Sequence, residues 1–231
     1  MNDSNRGFIF TVIGVVAVII AAITVFIITG TQKEREAQAP IPEESIAGDR
    51  MEVTDDTVTL GNPEAPVTVT IYEDFGCPLC RQFERESGPD LRQYIQGDDV
   101  KVEYKLISVT NSGYPNDYSE ATANFMYSIA QNSHRDWSKL HDDLYFGDIN
   151  EEEDLTPYLM NLATEQGVDN YEQIRTDVEE GTYVEQVQAN TMQAIEDGVP
   201  GTPYVLVNDE PIEALEADAL ENAVSEAIPA K

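Results

Sequence analysis

The chain has 231 residues, 44 of them Asp or Glu and only 13 Lys or Arg, for a formal net charge of −31. That balance excludes nucleic-acid binding, which needs Lys and Arg to neutralise phosphates. It fits a protein working in high salt, where screening removes the self-repulsion of so many acids.

Residues 1–7 form a short N-terminus, followed at 8–29 by a run of 22 residues without a charged side chain. Crossing a bilayer takes about 20 apolar residues, whereas a cleaved signal peptide has an apolar stretch of about 7–15. Ala37-Gln38-Ala39 resembles a cleavage site, but it stands apart from the apolar run and Pro40 follows it. The run therefore reads as one uncleaved transmembrane helix. Arg6 flanks it on one side and Lys33 and Arg35 on the other, so charge does not set its orientation. Residues 30–52 are polar and broken by Pro40 and Pro42, as in a flexible tether. The remaining residues, 53–231, suit one domain with its own core.

Residues 67–72, Val67-Thr68-Val69-Thr70-Ile71-Tyr72, have the β-branched and aromatic character of a buried strand. Alternation through Val67, Val69, Ile71 and Glu73 turns Glu73 toward one sheet face. Next come Glu73-Asp74-Phe75-Gly76-Cys77-Pro78-Leu79-Cys80, with the only two cysteines of the chain. They can pair with each other, with a thiol of another molecule, or with a metal. Structural zinc needs four ligands, and here there is one Cys-x-x-Cys knuckle, with His134 and His141 more than fifty positions away. A soft cation such as Cu(I) is the remaining metal reading. Between a strand and a helix, such a pair is the arrangement in which one thiolate attacks and the other resolves.

Leu79, Phe83, Leu91 and Ile95 recur at roughly helical spacing, predicting a helix that runs to about Gln96. Pro78 is tolerated in its first turn, which puts Cys77 at the helix N-terminus. Free backbone N–H groups and the helix dipole there favour a thiolate, and such thiols have pKa values of roughly 3.5–7. Glu73 and Asp74 are candidates for a proton relay to the second cysteine. The alternative is that both are ordinary acids at a strand end.

Residues 114–198 read as a helical insertion, with helices over 118–131, 137–146, 155–165 and 182–197. Tyr114, Pro115 and the insertion's aromatics read as core. His134 and His141 read as surface or helix-cap residues rather than catalytic ones. Turn-rich Gly198-Val199-Pro200-Gly201-Thr202-Pro203 leads into a strand starting at Tyr204, then a hairpin partner at 210–213 and an amphipathic helix at 216–228.

Four segments together resemble the DsbA-type thiol–disulfide oxidoreductases, in particular the membrane-tethered ones. They are Leu60-Gly61-Asn62-Pro63-Glu64-Ala65-Pro66-Val67, then Glu73-Asp74-Phe75 before Cys-Pro-x-Cys, then the long helical region, then Gly201-Thr202-Pro203 before a strand ending in Val207-Asn208. The resemblance runs from about residue 53 to the C-terminus. It implies an α/β thioredoxin-like fold with a helical insertion. It also implies that Cys77 is the solvent-exposed nucleophile and Cys80 the buried resolving thiol. Pro203 would be a cis-proline against the disulfide. The Thr202 backbone, flanked by Pro78 and Leu79, would bind an extended client segment by strand addition.

Strongly oxidising relatives often carry histidine where Leu79 stands, so a milder couple is expected here. The implied partners are reduced or misoxidised client proteins and a quinone-linked membrane redox partner. No cofactor beyond the Cys77–Cys80 disulfide and no metal is expected. Because cytosolic thiols are kept reduced, the catalytic domain belongs outside the cytoplasm. Two alternatives stand beside a disulfide donor. One is a reductase or isomerase using the same site, and the other a non-enzymatic Cu(I)-binding or chaperone-like protein.

Overall fold

The computed structural model describes residues 50–54, 56–110, 118–133, 137–147, 154–216 and 218–229. The expected membrane span at 8–29 and most of the tether at 30–52 lie outside them, as do His134, Tyr114 and Pro115. Among the described residues no helix is long and apolar enough to cross a membrane.

Among the described residues six strands form one sheet in the order β1-β2-β4-β3-β5-β6. They are β1 (Met51–Val53), β2 (Val58–Gly61), β3 (Val67–Glu73), β4 (Val100–Leu106), β5 (Tyr204–Val207) and β6 (Glu210–Ile212). Only β3 and β4 pair in parallel; every other neighbouring pair is antiparallel. Met51 and Glu52, expected in the tether, belong to β1 and pair with Leu60 and Thr59.

The parallel pair is joined through α1 (Pro78–Gln96), as a crossover connection requires. Between β4 and β5 lie α2 (Tyr118–Asn132), α3 (Trp137–Phe146), α4 (Leu155–Gln166), α5 (Tyr171–Glu180) and α6 (Val184–Glu196). This is the helical insertion. A last helix, α7 (Ala219–Ala227), packs against β3, β5 and β6.

The β3–β4 register decides what lies under the active site. Val67, Val69, Ile71 and Glu73 stand opposite Val100, Val102, Tyr104 and Leu106, and all eight are buried. Strand period 2 puts them on one face. Both α1 and α3 supply side chains to that face. On α3 the buried residues are Trp137, Leu140, His141, Leu144 and Tyr145, a stripe at i, i+3, i+4, i+7 and i+8. On α1 they are Cys80, Phe83, Glu84, Gly88, Leu91 and Ile95. The two stripes therefore bury polar and charged groups among aliphatic and aromatic ones.

Candidate active site

Cys77 is the N-cap of α1 and Pro78 its first residue. Its extended backbone (φ −85°, ψ 118°) turns the chain from β3 into the helix. A backbone bond from Cys77 N–H to the Asp74 carbonyl (2.9 Å) closes that turn. At Gly76 an added Cβ would collide with Ser119 and with the Thr110 carbonyl, so only glycine lets the loop pass.

Cys77 is largely covered, at 8% relative exposure, and Cys80 is sealed at 1%. The expectation of an open Cys77 is corrected accordingly. The exposed residues are its neighbours Pro78 and Leu79, while the thiol is tucked against the loop before β5. There the Thr202–Pro203 peptide bond is cis, as expected, and both residues are half-buried. Cys77 Sγ stands 3.3 Å from the Thr202 carbonyl oxygen.

The two thiols differ in acidity. Cys77 is pulled down to about 5, chiefly by a hydrogen bond from the Cys80 thiol. Burial opposes the shift, and the Thr202 side chain and the backbone N–H groups of Cys80 and Leu79 add to it. These are the free donors of a helix N-terminus. Cys80 is pushed far above the ordinary thiol range, first by burial and then by its bond to Cys77 and the Cys77 charge. The Asp74 backbone lowers it and the Glu73 charge raises it further. Both cysteines are free thiols. The stable reduced state is thus a Cys77 thiolate beside a protonated Cys80.

Asp74 is fully buried and both its oxygens are engaged. Oδ1 accepts from Gly76 N–H (2.7 Å), and Oδ2 from Val109 (2.7 Å) and Thr110 (2.8 Å). Burial raises its pKa, against these bonds and one from Ser119. The carboxylate staples the loop before Cys77 to the segment after β4.

Glu73 faces the other way, into the core. Its Oε1 is 2.7 Å from His141 Nε2, and its Oε2 accepts from the Tyr145 hydroxyl at 3.3 Å. The strand alternation placed Glu73 correctly, but the reading of His141 as a surface or cap residue is overturned. The imidazole is 2% exposed and caged by Phe75, Tyr104, Trp137 and Tyr145, with ring centroids 5.0–5.4 Å away. Burial alone would lower the His141 pKa, but the charge and hydrogen bond of Glu73, with Glu84 and Asp142, raise it to about 9.

Beyond His141, Arg92 NH1 donates to Glu84 Oε1 (3.1 Å) and Asp142 Oδ1 (3.0 Å). Burial raises the Glu84 pKa, opposed mainly by His141, and it raises Asp142 as well, opposed mainly by Arg92. His141, Tyr145, Glu84 and Arg92 were not singled out by sequence motif. The buried stripes of α1 and α3 carry the signal that finds the first three.

The family described as Thioredoxin matches residues 53–226. Probable disulfide bond formation protein D of Bacillus anthracis is 28% identical over 195 residues, covering 82% of this chain and 85% of that protein. Disulfide bond formation protein D of Bacillus subtilis (strain 168) is 25% identical over 156 residues, covering 66% and 68%. Among solved structures, the reduced disulfide bond oxidoreductase (DsbG) of Mycobacterium tuberculosis superposes with a TM-score of 0.63. It is 26% identical, over 82% of this chain and 91% of that one. Oxidised BdbD from Bacillus subtilis, 22% identical, gives a TM-score of 0.63 over 77% of this chain and 95% of that one. The chain belongs to the thioredoxin family, and it is a thiol–disulfide oxidoreductase of the DsbA type.

Proposed function

We propose that the chain works as a disulfide donor outside the cytoplasm, tethered to the membrane by residues 8–29. The observation that carries the direction of transfer is the split in acidity between Cys77 and Cys80. A stabilised thiolate stabilises the dithiol form, and a couple whose reduced form is stabilised is an oxidant. Leu79 adds no charge to the thiolate, which favours an oxidant milder than one with histidine there. The names of the relatives, disulfide bond formation proteins, agree with this direction.

A client thiolate attacks Cys77 Sγ of the disulfide. The Cys77–Cys80 bond breaks, a mixed disulfide forms, and Cys80 leaves with the electron pair and takes up a proton. A second client thiolate attacks the client sulfur of the mixed disulfide and expels Cys77 as thiolate. Two electrons pass from client to enzyme. Of the two thiol protons the client gives up, one stays on Cys80 and one goes to solvent. Glu73, whose charge raises the Cys80 pKa, is the proposed proton relay for that thiol. Asp74, with both oxygens held by backbone donors, is the anchor of the loop. Clients are reduced or misoxidised proteins, whose extended segments meet Thr202 and the exposed apolar side chains of Leu79 and Val109. A quinone-linked membrane protein re-oxidises the dithiol.

The test is disulfide transfer from the oxidised full-length chain to a reduced, unfolded client. Stoichiometric transfer that disappears in Cys77→Ser supports the proposal. Transfer that runs only from reduced enzyme to oxidised client would instead make the protein a reductase.

A further inference from the structure

Behind the dithiol, three metal-ligating side chains converge that the sequence keeps apart. Glu84 lies on α1 four residues after Cys80, and so on the same helix face. His141 and Asp142 are consecutive on α3. Each of the three brings a ligand atom within 4.8 Å of the other two. Glu84 and His141 are 3% and 2% exposed, so this is no surface cluster of acids.

The geometry around them has the parts of a metal site. His141 Nε2 is engaged by Glu73 at 2.7 Å, which leaves Nδ1 as the ligating nitrogen. A carboxylate on the outer nitrogen is the arrangement that orients a metal-ligating imidazole and fixes its tautomer. Glu84 Oε1 accepts from Arg92, while its Oε2 is buried with no hydrogen-bond partner among the described residues. A buried carboxylate oxygen left so is costly unless a donor or a cation meets it. At Gly88 an added Cβ would run into the Glu84 carboxylate and the Arg92 guanidinium, so glycine keeps the space in which Glu84 lies.

Charge points the same way. With every group ionised, Glu73, Glu84 and Asp142 outnumber His141 and Arg92 by one negative charge in the core. A divalent cation that replaces the proton on His141 brings the sum to zero.

We propose that Glu84, His141 and Asp142 bind one divalent transition-metal cation of the Zn²⁺ class. One imidazole and two carboxylates suit borderline cations and not Cu(I), which selects thiolates and thioethers. Three protein ligands leave a fourth position for water. Metal–ligand bonds of about 2.0–2.2 Å put neighbouring ligand atoms about 3.4 Å apart, so the side chains close by no more than about 1.5 Å. Arg92 keeps the far oxygens of both carboxylates and holds them together. The site lies one hydrogen bond from Glu73. It uses neither cysteine, and so is independent of the direction of disulfide transfer.

The experiment is calorimetric titration of Zn²⁺ into the oxidised full-length chain, whose disulfide leaves no thiolate to ligate. Excess Mg²⁺ occupies the exposed carboxylates. One saturable equivalent is expected, with affinity falling at least tenfold in His141→Asn and in Glu84→Gln. Co²⁺ bound to the same oxidised protein should show visible d–d absorption with no thiolate charge-transfer band. Absence of saturable one-equivalent binding by the folded wild type overturns the site and leaves Arg92 as the counter-charge of a closed ion network. Binding that survives both substitutions undiminished overturns it equally.

Discussion

The acidity of Cys77 has a direct electrochemical consequence. Reduction of the disulfide takes two electrons and as many protons as the dithiol retains. Cys80 keeps its proton across the whole working range, because its pKa is pushed far up. Cys77 keeps one only below about pH 5. Above that pH the couple takes up one proton and its potential falls by about 30 mV per pH unit; below it, two protons and about 59 mV. The sign follows from a depressed pKa. The thiolate stabilises the reduced protein at high pH, and that stabilisation is lost as pH falls through 5. At pH 7, two units above the break, it amounts to about 59 mV, or about 2.7 kcal/mol. The assay equilibrates the protein with thiol–disulfide buffers from pH 4 to 8, then alkylates and separates the two forms. A break near pH 5 is expected. A single slope of about 59 mV per unit persisting to pH 8 would show that Cys77 stays protonated and would refute the argument from helix N-terminal donors.

Four further outcomes follow from the same groups. Leu79→His places a partly charged imidazole in the first turn of α1, and should lower the Cys77 pKa and raise the potential by about 30 mV, a tenfold shift in redox equilibrium; no change would mean that this position does not act on the thiolate. Asp74→Ala strands three backbone N–H donors, that of Gly76 buried and those of Val109 and Thr110 part-buried, and should cost about 2–3 kcal/mol in urea unfolding of the oxidised protein; a loss below about 1 kcal/mol would remove Asp74 as the staple of the loop. His141, with its pKa raised to about 9, contributes stability that is full below about pH 6.5 and lost as pH rises through 9. Unfolding free energy of the oxidised protein should therefore drop by on the order of 2 kcal/mol over that window, and His141→Asn should abolish the drop; a wild-type profile flat from pH 6 to 9 contradicts the Glu73–His141 pairing. Finally, the net charge of −31 predicts a melting temperature that rises by several degrees from low to molar NaCl; no rise would sink the high-salt reading.

What the sequence disclosed depended on whether a feature was local. The helix-initiating Cys77, the α1 run and the Trp137–Phe146 helix follow from short-range spacing, and the structure has them where the spacing puts them. The cis bond before Pro203 was an expectation from family resemblance, since nothing local distinguishes it from an ordinary proline at a strand start. β4 escaped notice although Val100, Val102, Tyr104 and Leu106 alternate with Lys101, Glu103 and Lys105 in a clean period of two. It carries no motif, yet its register with β3 sets the floor of the site. Helix α5 escaped for a different reason: it buries only Ile174 and Asp177, too thin a stripe to announce a helix.

His141 shows where the residue-type argument fails. By residue type alone, a histidine in a polar helical stretch reads as a surface or cap group, because histidine is only intermediate in its tendency to be buried. Position says otherwise, because Trp137, Leu140, Leu144 and Tyr145 enclose it on a single helical stripe, and any side chain at that phase points inward. Glu84 repeats the case on α1, between Phe83 and Gly88. Glu73 repeats it on β3, at the next inward position after Ile71. Burying a lone charge is prohibitive, so three buried ionisable groups in three core patterns imply that the patterns meet and that the charges answer one another. The layer beneath the thiols is therefore written in core periodicity with polar letters, while the Cys-Pro-Leu-Cys motif specifies only the surface layer of the site.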